Sequence, residues 1–186
     1  LIEAVALLKG RSAVAPRLVI VGGDGPEARE TRQLKALATQ TGVDAQVHFA
    51  GRLAQERLPL YYSAADLLAF CSHYESFGLV VLEALACGTP VVATPVGVGD
   101  AIVREGVNGK VIASAATADV ADGIAWVLER LSTEATARQA VVRATVEPFG
   151  WHHVAAAMAD LYAAAIQAHA PSPADLAREG FALPST

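Results

Sequence analysis

The sequence predicts an α/β domain built on a doubly wound parallel sheet, and three features carry that prediction. Short β-branched runs alternate with segments of helical periodicity, and the alternation continues through most of the chain without a sequence repeat. The runs are apolar throughout, as parallel strands covered on both faces are, rather than alternating like a sheet with one wet face. Several helical segments open on Pro or an acid and close on Gly, as at Gly42, Gly88 and Gly106.

Taken in order, the first segment, LIEAVALLKG, sets Leu1, Val5 and Leu8 on one helical face. No strand or cap precedes it, whereas a doubly wound sheet ordinarily starts with a strand. The expectation is therefore a fragment, with a strand, its loop and up to a whole domain upstream of Leu1. Strands are predicted at RLVIVG (17–22), VHFAG (47–51), DLLAFCS (66–72), PVVAT (90–94) and a weaker KVIA (110–113). Between them lie helical segments at 27–41, 59–65, 79–87 and 99–105. Each crossover between parallel strands should be right-handed. Helices at about 117–131, 133–145 and 151–168 complete a domain over residues 1–169, and a mobile tail is expected over 170–186.

Composition narrows the function classes. The chain has 186 residues, 53% of them hydrophobic, which suffices for one well-buried domain. Mean hydropathy is +0.37. A net charge of −5 with scattered Lys and Arg argues against nucleic acid or an anionic membrane as partner, so any phosphate must be held locally. No apolar run approaches the roughly 20 residues of a membrane span. Cys71 and Cys87, with no leader-like N-terminus, predict buried structural thiols in a reducing, cytoplasmic setting. His152 and His153 beside Trp151 lack metal-ligand spacing, and no metal site is expected. His73, beside the ESFGLVVLE loop, could reach a phosphate, but a solvent-facing loop residue is the commoner role.

Ligands of open α/β sheets bind outside the carboxyl ends of the strands, so three loops stand out. In VGGDGP (21–26), Gly22, Gly23 and Gly25 let backbone N–H groups approach a phosphate, and Pro26 can start a helix. Gly23, Gly25 and Ala28 also fit a G-x-G-x-x-A pattern. A dinucleotide fingerprint further wants an acid about 20 residues on, near the end of the next strand, and VHFAGRL supplies Arg52 instead. A plain tight turn is the alternative.

The second loop is ESFGLVVLE (75–83). One continuous helix would hold its carboxylates roughly 12 Å apart along the axis. The residues Ser76, Phe77 and Gly78 make a poor helix interior, so the helix is predicted to start near Gly78, with Glu75 on the loop and Glu83 about one turn inside. Both acids then flank a helix N-terminus, which favours an anion while the carboxylates accept hydroxyl hydrogen bonds on either side. Diphosphate in the middle and sugar hydroxyls at both ends would fit. On local features alone, Glu75 as a solvated loop acid and Glu83 as a helix-favouring residue remain open. The third loop, TPVGVGD (94–100), offers close backbone approach at Gly97 and Gly99, with Asp100 as a candidate N-cap.

Ser72, Glu75, Phe77, Gly78, Glu83, Ala84, Cys87, Gly88, Pro90, Val91 and Val92 together resemble the signature of a large family of retaining glycosyltransferases. That family includes sucrose synthase and the mycothiol and mannosyl transferases, and its Glu-x7-Glu pattern falls here on Glu75 and Glu83. LVIVGGDGP, VHFAGRL, YYSAADLLAFCS, GTPVVAT, GVNGKVI and FGWHHVA stand in the family's order, so the resemblance covers roughly residues 1–168.

The resemblance implies the Rossmann-like, donor-binding C-terminal half of a two-domain GT-B enzyme, its N-terminal half holding the acceptor. Glu75 is then the catalytic carboxylate that accepts hydrogen bonds from donor-sugar hydroxyls. Backbone N–H groups of Phe77, Gly78, Leu79 and Val80 meet sugar and diphosphate, with Gly22 and Gly23 nearby. Glu83 accepts the ribose hydroxyls, and Arg52 and Leu53 line the base pocket. The donor is a UDP- or GDP-linked sugar, no cofactor is implied, and the helix bearing Trp151 crosses back toward the acceptor half. The family usually places an Arg and a Lys just before the first helix to neutralise the leaving diphosphate, and this chain starts after that point. Transfer needs that charge stabilisation, so the chain is expected not to catalyse alone. Retention of configuration, assisted by the leaving diphosphate on the donor's own face, also follows from the resemblance.

Three other readings stand beside it: a nucleotide-sugar epimerase of the same architecture, a pyridoxal-dependent phosphorylase and a non-catalytic binding module. A phosphorylase needs a Schiff-base lysine, and Lys9, Lys35 and Lys110 all lie outside plausible loops.

Overall fold

The structure is a computed structural model that describes residues 1–11, 16–25, 28–131 and 135–169. It divides into two compact units, Leu1–Glu147 and Pro148–Thr186. In the first, all five predicted strands form, β2 over its whole predicted run and the other four shorter than theirs: β1 (Leu18–Val21), β2 (Val47–Gly51), β3 (Leu68–Phe70), β4 (Val91–Ala93) and β5 (Gly109–Val111). They make two parallel sheets rather than one continuous sheet, β1 against β2 and, separately, β3-β4-β5. Leu18 lies opposite Val47, Leu68 opposite Val91 and Val91 opposite Gly109.

Helices cross between the strands, as parallel pairing requires. They are α1 (Ile2–Arg11), α2 (Arg29–Gln40), α3 (Leu58–Ala64), α4 (Leu79–Ala86), α5 (Gly99–Ile102), α6 (Thr117–Leu131) and α7 (Ala135–Ala144). The second unit contains α8 (Trp151–His169), where the rings of His152 and His153 lie 3.9 Å apart between centroids. The predicted Pro26 helix start, the start of the 133–145 helix and the 170–186 tail fall outside the described residues.

The three-stranded sheet is covered on both faces, as a doubly wound fold demands. Val91 and Ala93 pack with Phe70 and with Val81, Ala84 and Leu85 of α4, while Val92 turns to Ile112 and to Val120, Ala121, Ile124 and Val127 of α6. All three residues of β4 are fully buried. The first sheet departs from prediction: Leu18 and Ile20 pack toward Val5, Ala38 and Val43, but Val19 and Val21 are exposed. Helix α1 serves both sheets, with Ile2 and Val5 in one cluster and Ala4 and Leu8 in the other, and Leu1 lies outside this buried stripe.

Asn108 is buried between α5 and the turn that follows α7, and both ends of its amide are bonded. Its Oδ1 accepts from Arg104 N–H at 2.6 Å, and its Nδ2 donates to Ile102 O at 3.1 Å and Thr145 Oγ1 at 2.9 Å. Two expectations fail locally. Asp100 does not cap α5; it is the helix's second residue, and Val98 takes the cap position without a side-chain bond. Cys71 and Cys87 are free but half-buried rather than buried. Among the described residues no helix is long and apolar enough to cross a membrane.

Candidate functional site

From the end of β3 the chain passes through Ser72 and the exposed His73 to Glu75, and it enters α4 at Gly78. Gly78 is the helix N-cap in a left-handed conformation, φ 92° and ψ 50°. A Cβ there would sit 3.0 Å from Phe70 Cζ, so only glycine turns the chain this sharply over the buried ring. This left-handed turn separates the two acids: Glu75 stays on the loop and Glu83 becomes the fifth residue of α4, about 6 Å along the axis from Leu79.

Glu75 is half-buried, and its Oε1 accepts from its own loop, from Ser76 N–H at 3.0 Å and Phe77 N–H at 3.4 Å. The carboxylate thus shapes the loop that carries it. The Phe77 amide, expected to face the diphosphate, points at Glu75 here. Helix geometry leaves the first amides of α4, those of Leu79 and Val80, without intrahelical acceptors, while Val81 N–H donates back to Gly78 O at 2.9 Å. Phe77, Leu79 and Val80 are exposed, so this positive helix end opens to solvent.

The loop is held from behind by the end of β4. Thr94 Oγ1 donates to Ser72 O at 2.7 Å, and Val98 N–H donates to Phe77 O at 2.7 Å. The glycines of TPVGVGD therefore serve packing: a methyl group on Gly97 would collide with the Phe77 carbonyl and come within 3.2 Å of Glu75 Cγ.

Glu83 is half-buried, and its Oε2 accepts a hydrogen bond from the Tyr62 hydroxyl of α3 at 2.9 Å. The Tyr62 phenol is pushed above its ordinary range, first by burial and then by the hydrogen bond to Glu83 and that residue's negative charge. One oxygen of Glu83 thus already has a partner. Sequence reasoning missed Tyr62; its signal was a tyrosine within the YYSAADLL segment, on a helix that must pack against α4.

The ends of β1 and β2 assemble a second group. Gly22 N–H donates to Gly51 O at 2.8 Å, which sets the exposed Gly22 and Gly23 beside the segment bearing Arg52 and the half-buried Leu53. Arg52 pairs with Asp24 of the glycine loop at 3.1 Å, with both side chains largely exposed, so the pair adds little stability. Asp24 was also missed, because an acid in a glycine loop reads as a turn residue. Among the described residues no hydrogen bond or ion pair joins this group to the Glu75–Glu83 group, and no cluster of three or more His, Cys, Asp or Glu side chains could hold a metal. Along the chain, Glu75 before α4 and Glu83 as its fifth residue flank an exposed helix N-terminus; free helix amides suit an anion, and carboxylates suit hydroxyl donors.

A family model described as Glycosyl transferases group 1 matches residues 1–145. The D-inositol 3-phosphate glycosyltransferase of Xylanimonas cellulosilytica is 44% identical over 154 residues, covering 80% of this chain and 36% of that protein. The chain thus spans little more than a third of the length of such relatives. Sucrose-phosphate synthase of Thermosynechococcus elongatus superposes with a TM-score of 0.72 at 31% identity, over 90% of this chain and 42% of that one. Anabaena HepE, solved in complex with UDP, superposes with a TM-score of 0.73 at 27% identity, over 88% of this chain and 44% of that one.

Proposed function

The chain belongs to the group 1 glycosyl transferases, with the Rossmann-like α/β fold of the C-terminal half of a GT-B enzyme, and on that premise we propose that it binds a nucleotide-diphosphate sugar for retaining transfer to an acceptor. The observation that carries this reading is that Glu75 sits on the loop entering α4 and Glu83 is that helix's fifth residue, so the two flank its exposed N-terminus along the chain. Glu75 would accept hydrogen bonds from donor-sugar hydroxyls, and the amides of Phe77, Gly78, Leu79 and Val80 would meet sugar and diphosphate. The Phe77 amide would exchange its long bond to Glu75 for the ligand. Glu83 would receive the ribose, and Arg52 and Leu53 would line the base pocket, with Gly22 and Gly23 beside the phosphates.

The acceptor would be held by a separate N-terminal domain, a reading supported by the share of the relatives' length that this chain matches. Basic residues of that remaining length would neutralise the leaving diphosphate, which departs from and assists on the same face of the sugar. The donor would be UDP- or GDP-linked, and no further cofactor is invoked. A cytoplasmic site of action belongs to the same proposal, supported by the two free thiols. Calorimetric titration with UDP and GDP tests the core of it. The expected result is saturable binding of one of them at low ionic strength, abolished when both glutamates are replaced by Ala; heats indistinguishable from dilution for both nucleotides would overturn it.

A further inference from the structure

We infer that Tyr62 is a positioning residue that orients the Glu83 carboxylate for a ribose diol, an inference that rests on the donor-binding reading above. Its phenol spans from α3 to α4 and donates to Glu83 Oε2 at 2.9 Å. Its backbone is anchored as well: the carbonyl of Tyr62 accepts from Thr89 Oγ1 at 2.6 Å, and the amide of the buried Thr89 donates to Ala84 O of α4 at 2.9 Å. Tyr62 is thus tied at its hydroxyl and its carbonyl to the same helix and the turn that ends it.

The chemistry that follows is specific. A glutamate side chain has three rotatable bonds, and a ligand that must order them loses affinity to do so. The phenol removes that freedom in advance by occupying Oε2, which leaves Oε1 as the oxygen presented to the ligand. Burial and the neighbouring carboxylate keep the phenol protonated, so it remains a donor at neutral pH. Tyr62 therefore governs how well the site tells ribose from deoxyribose, beyond its contribution to packing beside α4.

The test titrates UDP, GDP and their 2′-deoxy counterparts against wild type, Tyr62→Phe, Glu83→Ala and the double variant. Wild type prefers the ribonucleotide of whichever base binds. Tyr62→Phe is expected to weaken that ribonucleotide about three- to tenfold and leave the deoxy form nearly unchanged, so the preference collapses. In the Glu83→Ala background the same change should have no further effect on the preference. Equal weakening of both ligands by Tyr62→Phe, or a lowered melting temperature with the preference intact, would assign Tyr62 to packing alone and overturn the inference. Should Tyr62→Phe fail to fold, Thr89→Val releases the carbonyl anchor without touching either partner; a reduced ribose preference supports the inference and an unchanged one counts against it. A wild type that binds none of the four nucleotides removes the donor-binding reading itself, and this inference with it.

Discussion

The amide of Val98 donates to the carbonyl of Phe77 at 2.7 Å, which fastens the loop after β4 to the loop that presents Glu75. Gly97 makes that bond possible by approaching where no side chain fits. Its φ of +57° adds a second demand, because non-glycine residues are strained there. Gly97→Ala is expected to cost about 2–4 kcal/mol. Thermal unfolding should show the loss, and nucleoside diphosphate affinity should fall with it as the Glu75 loop loosens. A variant as stable as wild type would mean that the two loops are not coupled.

Glu75→Gln keeps the oxygen that Ser76 and Phe77 amides use, so the loop should hold its shape. It removes the charge that makes hydrogen bonds from sugar hydroxyls strong. In the full-length enzyme, turnover should drop at least tenfold while UDP or GDP affinity changes less than about twofold. Undiminished turnover would reduce Glu75 to a loop acid.

Glu83→Ala removes a charged acceptor whose hydrogen bonds contribute roughly 1.5–3 kcal/mol. Nucleoside diphosphate binding should weaken about tenfold or more. Deleting the ligand's 2′-hydroxyl should weaken binding to wild type yet hardly affect the variant, since the same contact cannot be lost twice. Additive losses in calorimetry would leave Glu83 a helix-supporting role only.

The chain by itself should bind the nucleoside diphosphate weakly and transfer no sugar, because both the acceptor site and the basic groups for the leaving diphosphate belong to the proposed remainder of the enzyme. Incubation with nucleotide sugar and acceptor, followed by proton NMR, reads this out; glycosylated product from the chain alone would sink the proposed division of labour.

Asn108→Ala should destabilise without touching ligand affinity directly. The replacement leaves the Arg104 amide and Ile102 carbonyl without their partner in a buried site. About 2–4 kcal/mol is expected, seen as a lower denaturant midpoint; an unchanged midpoint would show that water replaces the amide at no cost.

Much of this was legible in the sequence because it is local. The apolar runs placed all five strands; two-sided burial explains β4, whose three residues are all buried, whereas β1 leaves Val19 and Val21 exposed and was marked by its β-branched residues alone. Gly78 interrupts helical propensity between two acids, and that alone put Glu75 on a loop and Glu83 in a helix. The tertiary structure decided what sequence-distant groups do to one another. Asp100 looked like a cap, but Val98 holds that position while its amide reaches back to Phe77. Gly97 read as a point of close backbone approach, and the partner it approaches is the Phe77 carbonyl. Tyr62 meets Glu83, and Asp24 meets Arg52, across 21 and 28 residues of chain. Periodicity and turn chemistry encode only the few residues within reach of one turn or one strand, whereas these pairings arise when helices and strand ends pack in three dimensions.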